Sequence, residues 1–573
     1  MPASRSRLLI PVLLAASCGG PPGPADVDLI VTGATVVDGS GGPPRRMDLA
    51  VDDGRVVALG ALGDLTAERV IDATGKVVAP GFIDLHSHAD LILLADPKRR
   101  AELLRARIRQ GVTTIVVGNC GLGVAPTDTA AAEIVAAING WMTPEGVRPG
   151  ALSVAEFLER LESAGVELNV GTLVPHGPVR ISAMGLAPGA PDADELDAMR
   201  REVAEALEAG AFGLSTGLIY PPGMYSATDE LVELARVVAE WDRLFTSHVR
   251  GSSETLLPAT EELIEIARRS GARVHHSHME AVGRRFWPLI PEVIALEDRA
   301  REEGLRVSHD LFPYTRAATM MTAIFPPWSL EGGVSALLDR LEDPVQRQRI
   351  RREIEERRPE WPPWLPGGWP HNLVGAVGWD GIFVAGVGPE GPEELIGKSL
   401  DEIAAERAGD PFDVVAELLL SQRGQVGQQV AEISGSDAEP SALLEILTHP
   451  SAAVISDAED YGYGAPHPAH AGAFARALRL NREHGLLSLQ ELVRRMTAYP
   501  ASLLGLEERG VVREGAPADL VVFDPARVRD RATWSEPREA AEGVPYVLIN
   551  GSVAVDDGRY VGGSHGRVLR AGS

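Results

Sequence analysis

Two histidines one residue apart follow an apolar run in the stretch "GFIDLHSHAD" (81–90). On a β-strand, residues i and i+2 point to the same side, so His86 and His88 can face one point in space. Two interpretations fit this pattern when it is considered alone. The imidazoles are hydrogen-bonded residues of a packed core, or they are half of a metal site.

Four other side chains that can bind metals also follow short apolar segments: Cys120 in "TTIVVGNC", His248 in "LFTSH", His278 in "RVHHSH" and Asp457 in "AAVISD". Each alone has an ordinary explanation, such as a hydrogen-bonded histidine, a small core cysteine or a helix-capping aspartate. Together with the histidine pair they indicate a site, because unpaired polar groups packed at one place are costly. Imidazole, thiolate and carboxylate ligands together suit zinc.

The elements that must position these residues alternate between strand and helix patterns, the latter including 194–209 and 228–241. This alternation predicts an α/β fold with a TIM-like (β/α)8 barrel. Active sites of such barrels lie at the C-terminal ends of the strands, where all six candidates stand. The predicted strands are 82–88, 113–120, 169–176, 213–217, 244–248, 273–278, 306–310 and 452–457.

Two further features surround the barrel, which is expected at 81–505. Short β-type runs at 27–80 and 506–565 predict one small β-sandwich domain formed from both termini. The barrel region is longer than the roughly 250 residues of a plain barrel. The excess lies between strands 7 and 8, where the Trp- and Pro-rich segment 326–440 predicts an inserted lid or subdomain rather than a disordered insertion.

The N-terminal residues have the layout of an export signal, with Arg5 and Arg7 before an apolar run at 8–14 and small residues leading to Cys18. This predicts a signal peptide over 1–18, of the bacterial lipoprotein type, and a tether over 19–26. The alternative is an ordinary secretory signal and a periplasmic or secreted protein. With Cys18 lipidated, Cys120 is the one remaining cysteine, so no internal disulfide is expected.

Composition limits the partners of this chain. The 573 residues are 45% hydrophobic and 24% charged, as in globular proteins. The net charge of −27 argues against nucleic acid as a partner. A small-molecule substrate is therefore expected, with membrane contact only through the lipid anchor, and the oligomeric state stays open.

Several motifs resemble the N-acyl-D-amino-acid deacylases (D-aminoacylases) of the amidohydrolase superfamily: "PGFIDLHSHAD", "GVTTIVVGNCG", "GAFGLSTGLIYPPGMYSATDEL", "TSHVR", "SHME" and "ISDA". The resemblance implies a tightly bound zinc on Cys120, His248 and His278. It implies a second, weaker metal position on His86, His88 and Asp457. It also implies that Tyr220 in "YPPG" and Tyr314 in "PYT" contact the substrate.

The implied reaction is hydrolysis of the acyl amide of an N-acyl-D-amino acid by metal-activated water. Asp457 is expected to take a proton from the water and pass it to the departing amine. The few lysines, Lys76, Lys98 and Lys398, lie away from the predicted strand ends, which excludes a carboxylated lysine as a metal bridge. Cys120 is the available substitute, as a thiolate.

Two positions depart from the family pattern and concern specificity. Ala469 stands where the family has the arginine of "HPR", which binds the substrate carboxylate. Arg250 or Arg316 could replace it, or the substrate lacks that carboxylate. Glu280 stands where family members often have lysine, so acidic side chains such as those of N-acyl-D-Glu are expected to be disfavoured.

Two other functions stay open. The same fold could hydrolyse cyclic amides, ureas or dipeptides that contain a D-residue, an alternative that Ala469 favours. The chain could also be a non-catalytic ligand-binding lipoprotein. The complete set of metal-binding candidates argues against that alternative.

Overall fold

The structure is a computed structural model that describes residues 26–361, 368–388 and 391–572. The predicted signal peptide, and the predicted tether except for Asp26, lie outside these residues. No helix within the described part of the chain is long and apolar enough to cross a membrane.

Eight parallel strands form the predicted barrel, and neighbours in the chain are neighbours in space. The ring closes between strands 8 and 1, where the Ser456 amide donates to Asp84 Oδ1 (3.0 Å) and the Asp457 amide donates to the His86 carbonyl (3.2 Å). The strands are Phe82–Asp84, Val112–Val117, Asn169–Thr172 continued by Val174–Pro175, Gly213–Gly217, Leu244–His248, Arg273–His276, Val307–Leu311 and Ala452–Val454.

The barrel strands are buried almost throughout, as expected for parallel strands that are covered by helices. The two helices predicted over 194–209 and 228–241 are confirmed as Ala193–Glu208 and Thr228–Glu240. A capping box of Asp192 and Glu195 begins the first of these helices. The other long helices around the barrel are Pro97–Arg109, Val154–Ala164, Leu256–Ser270, Ile290–Glu302 and Ala469–His484; shorter ones are Thr129–Ile138, His176–Met184, Ser441–Thr448, Leu489–Met496 and Ala498–Leu504.

Both ends of the described chain contribute to one nine-stranded sheet beside the barrel. The two ends meet where Val77–Pro80 pairs antiparallel with Leu520–Phe523. The sheet branches at Val27–Val36, which pairs with three other strands. The remaining strands are Arg45–Asp52, Arg55–Gly60, Ala67–Asp72, Tyr546–Ile549, Ser552–Asp556 and Arg559–Tyr560.

The segment between barrel strands 7 and 8 contains a small antiparallel sheet, which we call the insertion sheet. Its central strand, Gly427–Val430, pairs with Ala317–Met320 on one side and Ile382–Gly386 on the other. Several residues of this sheet line the cavity at the C-terminal end of the barrel. The helices of the segment are Gly333–Glu342, Pro344–Glu356, Leu373–Val377, Leu400–Glu406 and Pro411–Ser421.

Candidate metal centre and active-site cavity

The six predicted ligands meet at the C-terminal rim of the barrel. His86 Nε2 lies 3.2 Å from Cys120 Sγ and 3.4 Å from Asp457 Oδ1. His88 Nε2 lies 3.2 Å from the same Asp457 oxygen. Two groups of three donors, each with its ligand atoms within 4.8 Å of one another, could hold a metal ion. They are His86, Cys120 and His278, and His86, His88 and Asp457.

Cys120 lies at the centre of this cluster. Its Sγ is 3.6 Å from His278 Nε2 and 3.8 Å from His248 Nδ1. The rings of the two histidines are 4.4 Å apart between centroids. His248 therefore lies against the thiol but outside both of the close donor groups, whereas His86 is shared by them.

Three of the ligands have backbones in the left-handed region, with φ of 52° at Cys120, 34° at His278 and 46° at Asp457. Non-glycine residues rarely adopt this conformation, and it persists only where the surrounding structure holds it. Each of the three residues follows the end of a barrel strand, so the positive φ turns the chain at that point. Three of the eleven left-handed non-glycine residues in the described part of the chain thus lie at the candidate metal centre.

The charges of the cluster compensate one another in a buried space. Burial disfavours charge on His88, yet Asp457 and Cys120 raise its pKa to about 10. Burial likewise opposes charge on Cys120, but the neighbouring histidines hold the pKa of the thiol well below its ordinary value. The pKa of His248, in contrast, is lowered to about 4 by burial and by His278. A thiolate, a carboxylate and neutral imidazoles are the forms that bind a divalent cation, so a metal ion bound here would displace protons from the charged histidines.

Asp310, at the end of strand 7, forms hydrogen bonds beside the cluster. The sequence pattern did not indicate this residue. Its carboxylate accepts hydrogen bonds from the His278 amide and from His275 Nε2 (2.9 Å) and lies 3.5 Å from His86 Nδ1. Such a carboxylate fixes the orientation and tautomer of the imidazoles that bind a metal.

Three other histidines near the cluster lie outside both donor groups. His275 contacts Asp310, whereas His276 and His309 both contact Glu297 of the helix Ile290–Glu302. The distances from Glu297 are 3.1 Å to His276 Nδ1 and 2.7 Å to His309 Nδ1. These two histidines join strands 6 and 7 to the helix and take no part in the donor groups.

A buried arginine connects the ligand loops of strands 1 and 8. The guanidinium of Arg107 donates to Asp84 and to Ser456 Oγ (2.7 Å), and lies 2.8 Å from Glu459 Oε1. Glu459 in turn accepts a hydrogen bond from the His88 amide (3.0 Å). The positions of His88 and of the loop that contains Asp457 therefore depend on one cation.

The cavity in front of the cluster is lined by two of the five residues predicted to bind substrate. Tyr220 lines it, and its hydroxyl lies 2.8 Å from Thr319 Oγ1 of the insertion sheet. Glu280 also lines it; burial raises the pKa of this carboxyl to about 7 even though His278 opposes the shift. Residues of the cavity that the sequence did not indicate are Trp141, His371, Gln428, Tyr461, Tyr463 and His467.

The other three predicted residues lie outside the lining of this cavity. Arg250 is buried, and its Nε donates to Glu262 Oε2 at 2.7 Å. The guanidinium of Arg316 stacks on the Phe383 ring at 4.0 Å from the centroid. Tyr314 is fully buried behind His467, with 5.2 Å between the ring centroids.

Comparison with known proteins agrees with this architecture. Residues 69–329 and 394–555 match the model of the Amidohydrolase family. An N-acyl-D-glutamate deacylase of Alcaligenes xylosoxydans xylosoxydans is 34% identical over 530 residues, which cover 92% of this chain and 93% of that protein. The crystal structure of an N-acyl-D-glutamate deacylase from Bordetella bronchiseptica, complexed with zinc and a phosphonate mimic of the tetrahedral intermediate, is 35% identical and has a TM-score of 0.77. The match covers 95% of this chain and all of that one.

A structure of D-aminoacylase, described by the functional role of its binuclear metal centre, has the same TM-score of 0.77 at 32% identity, with 95% of this chain and 100% of that chain covered. The chain therefore belongs to the amidohydrolase family and, within it, to the N-acyl-D-amino-acid deacylases. This confirms the predicted fold class and the predicted enzyme, a metal-dependent hydrolase of amide C–N bonds. It removes support from the alternative of a non-catalytic lipoprotein.

The Arg107 interaction is testable by denaturation. We expect Arg107→Met to lower the free energy of unfolding by about 3–5 kcal/mol, because Asp84 and Glu459 lose their buried cation. Arg105→Met, at an exposed position of the same helix, should change it by no more than about 0.5 kcal/mol. Equal stability of the two variants in urea would contradict the role assigned to Arg107.

Proposed function

We propose that this enzyme hydrolyses the acyl–nitrogen bond of N-acyl-D-amino acids and that its metal is zinc. The observation that carries the proposal is the buried cluster around Cys120, in which thiolate, imidazole and carboxylate donors converge. This donor set fits zinc, which prefers sulfur and nitrogen ligands. Substrate class and zinc are also supported by the relatives, whose names specify N-acyl-D-amino acids and, in one structure, zinc.

Cys120, His248 and His278 would hold one tightly bound zinc, and His86, His88 and Asp457 a second, weaker metal. The nitrogens that face the cluster are His248 Nδ1 and His86 Nε2. The other nitrogen of His248 is buried without a hydrogen-bond partner, and Asp310 lies 3.5 Å from the other nitrogen of His86. When bound, zinc supplies Lewis acidity, which polarises the amide carbonyl and lowers the pKa of a water molecule.

Asp457 would move the proton between water and the leaving nitrogen. Burial raises the pKa of its carboxyl, but His86 and His88 outweigh burial and keep the pKa below its ordinary value. The group is therefore a carboxylate that can accept a proton from the attacking water. Passing that proton to the nitrogen as the C–N bond breaks gives a carboxylic acid product and a free amine.

Tyr220 would orient the acyl group. Burial and the charge of Cys120 raise the pKa of its hydroxyl well above the ordinary value, so the phenol stays protonated. Its ring lies 5.2 Å from that of His248. A protonated phenol at this place can donate a hydrogen bond to a substrate oxygen beside the metal centre.

The cellular location of the protein is inferred from the sequence alone. We propose that the protein is exported and anchored through lipid on Cys18, because Arg5 and Arg7 precede an apolar run and small residues. Cys18→Ala should then shift the protein from the membrane fraction to the soluble fraction of the producing cells. Retention of that variant in membranes would contradict the proposal.

The central test is a hydrolysis screen of N-acetyl-D- and N-acetyl-L-amino acids, with and without 1,10-phenanthroline. We expect hydrolysis of D-compounds, its loss with the chelator and its return on addition of zinc. Metal analysis should find that Cys120→Ala retains less zinc than the wild type, because the thiolate is a donor of the tightly bound zinc in the proposed site. Full zinc content in that variant, or a preference for L-compounds, would refute the proposal.

The proton-transfer role of Asp457 predicts a change in turnover. We expect Asp457→Asn to lower kcat by about 10²–10⁴-fold, since the amide has no basic oxygen of comparable strength. Asp460→Asn is the matched control, because Asp460 binds Arg538 (2.7 Å) and does not line the cavity. Unchanged kcat in Asp457→Asn with zinc bound would show that another group transfers the proton.

A further inference from the structure

The central strand of the insertion sheet places an amide side chain in the wall of the active-site cavity. Gln428 is fully buried, and neither its Oε1 nor its Nε2 has a hydrogen-bond partner. Its neighbour Gln429 points to the other face of the strand, where its Nε2 donates to the Ala465 carbonyl (3.3 Å). An unpaired buried amide is costly, so a partner from the substrate is the natural explanation for Gln428.

Apart from the histidines of the candidate metal centre, the described lining offers no cationic side chain to a free carboxylate. No lysine or arginine lines the cavity among the described residues. The cavity contains the carboxyl group of Glu280, whose Oε2 also lacks a hydrogen-bond partner. Burial lowers the pKa of His371 to about 3 and that of His467 to about 4, so these two histidines add no positive charge at neutral pH.

A glutamine amide presents an acceptor and a donor side by side, and the group that matches both is another amide. A site that must satisfy both atoms discriminates strongly against a ligand that lacks either one. A carboxylate could accept from Nε2, but it would face Oε1 with a second acceptor. Gln428 is thus complementary to a neutral carboxamide.

We infer that Gln428 pairs with a carboxamide group of the substrate, so that the enzyme prefers N-acyl-D-residues bearing a neutral amide over those with a free carboxylate at that place. This inference rests on the proposed deacylase function and narrows its substrate class. The carboxamide could be that of an amidated or peptide-linked D-residue, or the side chain of D-asparagine or D-glutamine. Gln428 would form the same pair of hydrogen bonds with either carboxamide.

Two matched substrate pairs separate these sources. N-acetyl-D-methioninamide against N-acetyl-D-methionine tests the backbone carboxamide, and N-acetyl-D-glutamine against N-acetyl-D-glutamate tests the side-chain carboxamide. For the zinc-loaded wild type, we expect kcat/KM to favour the amide of at least one pair by about tenfold or more. No preference for the amide in either pair would overturn the inference.

Variants at Gln428 show whether this residue causes the preference. Gln428→Met keeps the side-chain length and removes the amide, so the preference for the amide substrate over its acid should fall to within about threefold. Gln428→Glu, which keeps the shape, should also lose it. Gln429→Met is the control on the opposite face of the strand and should keep the substrate ranking. A preference that survives in both Gln428 variants would overturn the inference.

A binding measurement distinguishes this inference from the function on which it rests. If the wild type hydrolyses none of the four compounds, the proposed function fails. In that case, calorimetry with the zinc-loaded Asp457→Asn protein measures the binding of amide and acid without turnover and tests the role of Gln428 separately. The inference is supported if this protein binds an amide more tightly than the corresponding acid and if the difference disappears when Gln428→Met is added. Equal binding of amide and acid overturns it.

Discussion

The buried guanidinium of Arg107 is the interaction on which both the barrel and its chemistry depend. It binds Asp84 at the end of strand 1 and Ser456 and Glu459 after strand 8, so it lies where the ring of strands closes. Glu459 extends the contact to the backbone of His88. The same contacts therefore close the barrel and place the candidate metal ligands. A cation with several hydrogen bonds suits this role because it satisfies two carboxylates that are removed from water.

The two parts of the structure contribute different properties to the active site. The barrel rim supplies the donors, which are held by backbone turns and by Asp310 and Arg107. The insertion sheet supplies the opposite wall, including Thr319 and Gln428. The proposed chemistry is thus tied to the geometry of a closed barrel, whereas the proposed selectivity comes from a segment whose strands pair with one another rather than with the barrel.

The sequence predicts the barrel and the positions of its ligands because both follow from local order. Strand ends in a parallel barrel share one rim, so residues such as Cys120, His248 and His278 must approach one another once the strands are identified. Both predicted helices were found within one residue of their expected bounds, with a capping box at Asp192 for the first of them. Tyr220 and Glu280 reach the cavity because they directly follow strands at that rim.

Other features depend on contacts that sequence spacing does not specify. Arg250 lies two residues after a metal ligand, but its side chain is directed to Glu262 on the following helix. Arg316 stacks on Phe383 of the insertion, a partner far away in the chain. Gln428 gave no signal, because its place in the cavity is set by the pairing of three distant strands. Asp310 and Arg107 were missed because polar residues that only support ligands lack a distinctive spacing.

The left-handed backbones of Cys120, His278 and Asp457 have a consequence for how the metal could be exchanged. Their side chains are aimed by turns of the chain itself, and such turns persist where the surrounding structure holds them. An ion that leaves such a frame leaves the donors close to their working positions. Replacement of one divalent metal by another is then a local substitution, with selectivity decided by ligand type and by supply rather than by refolding.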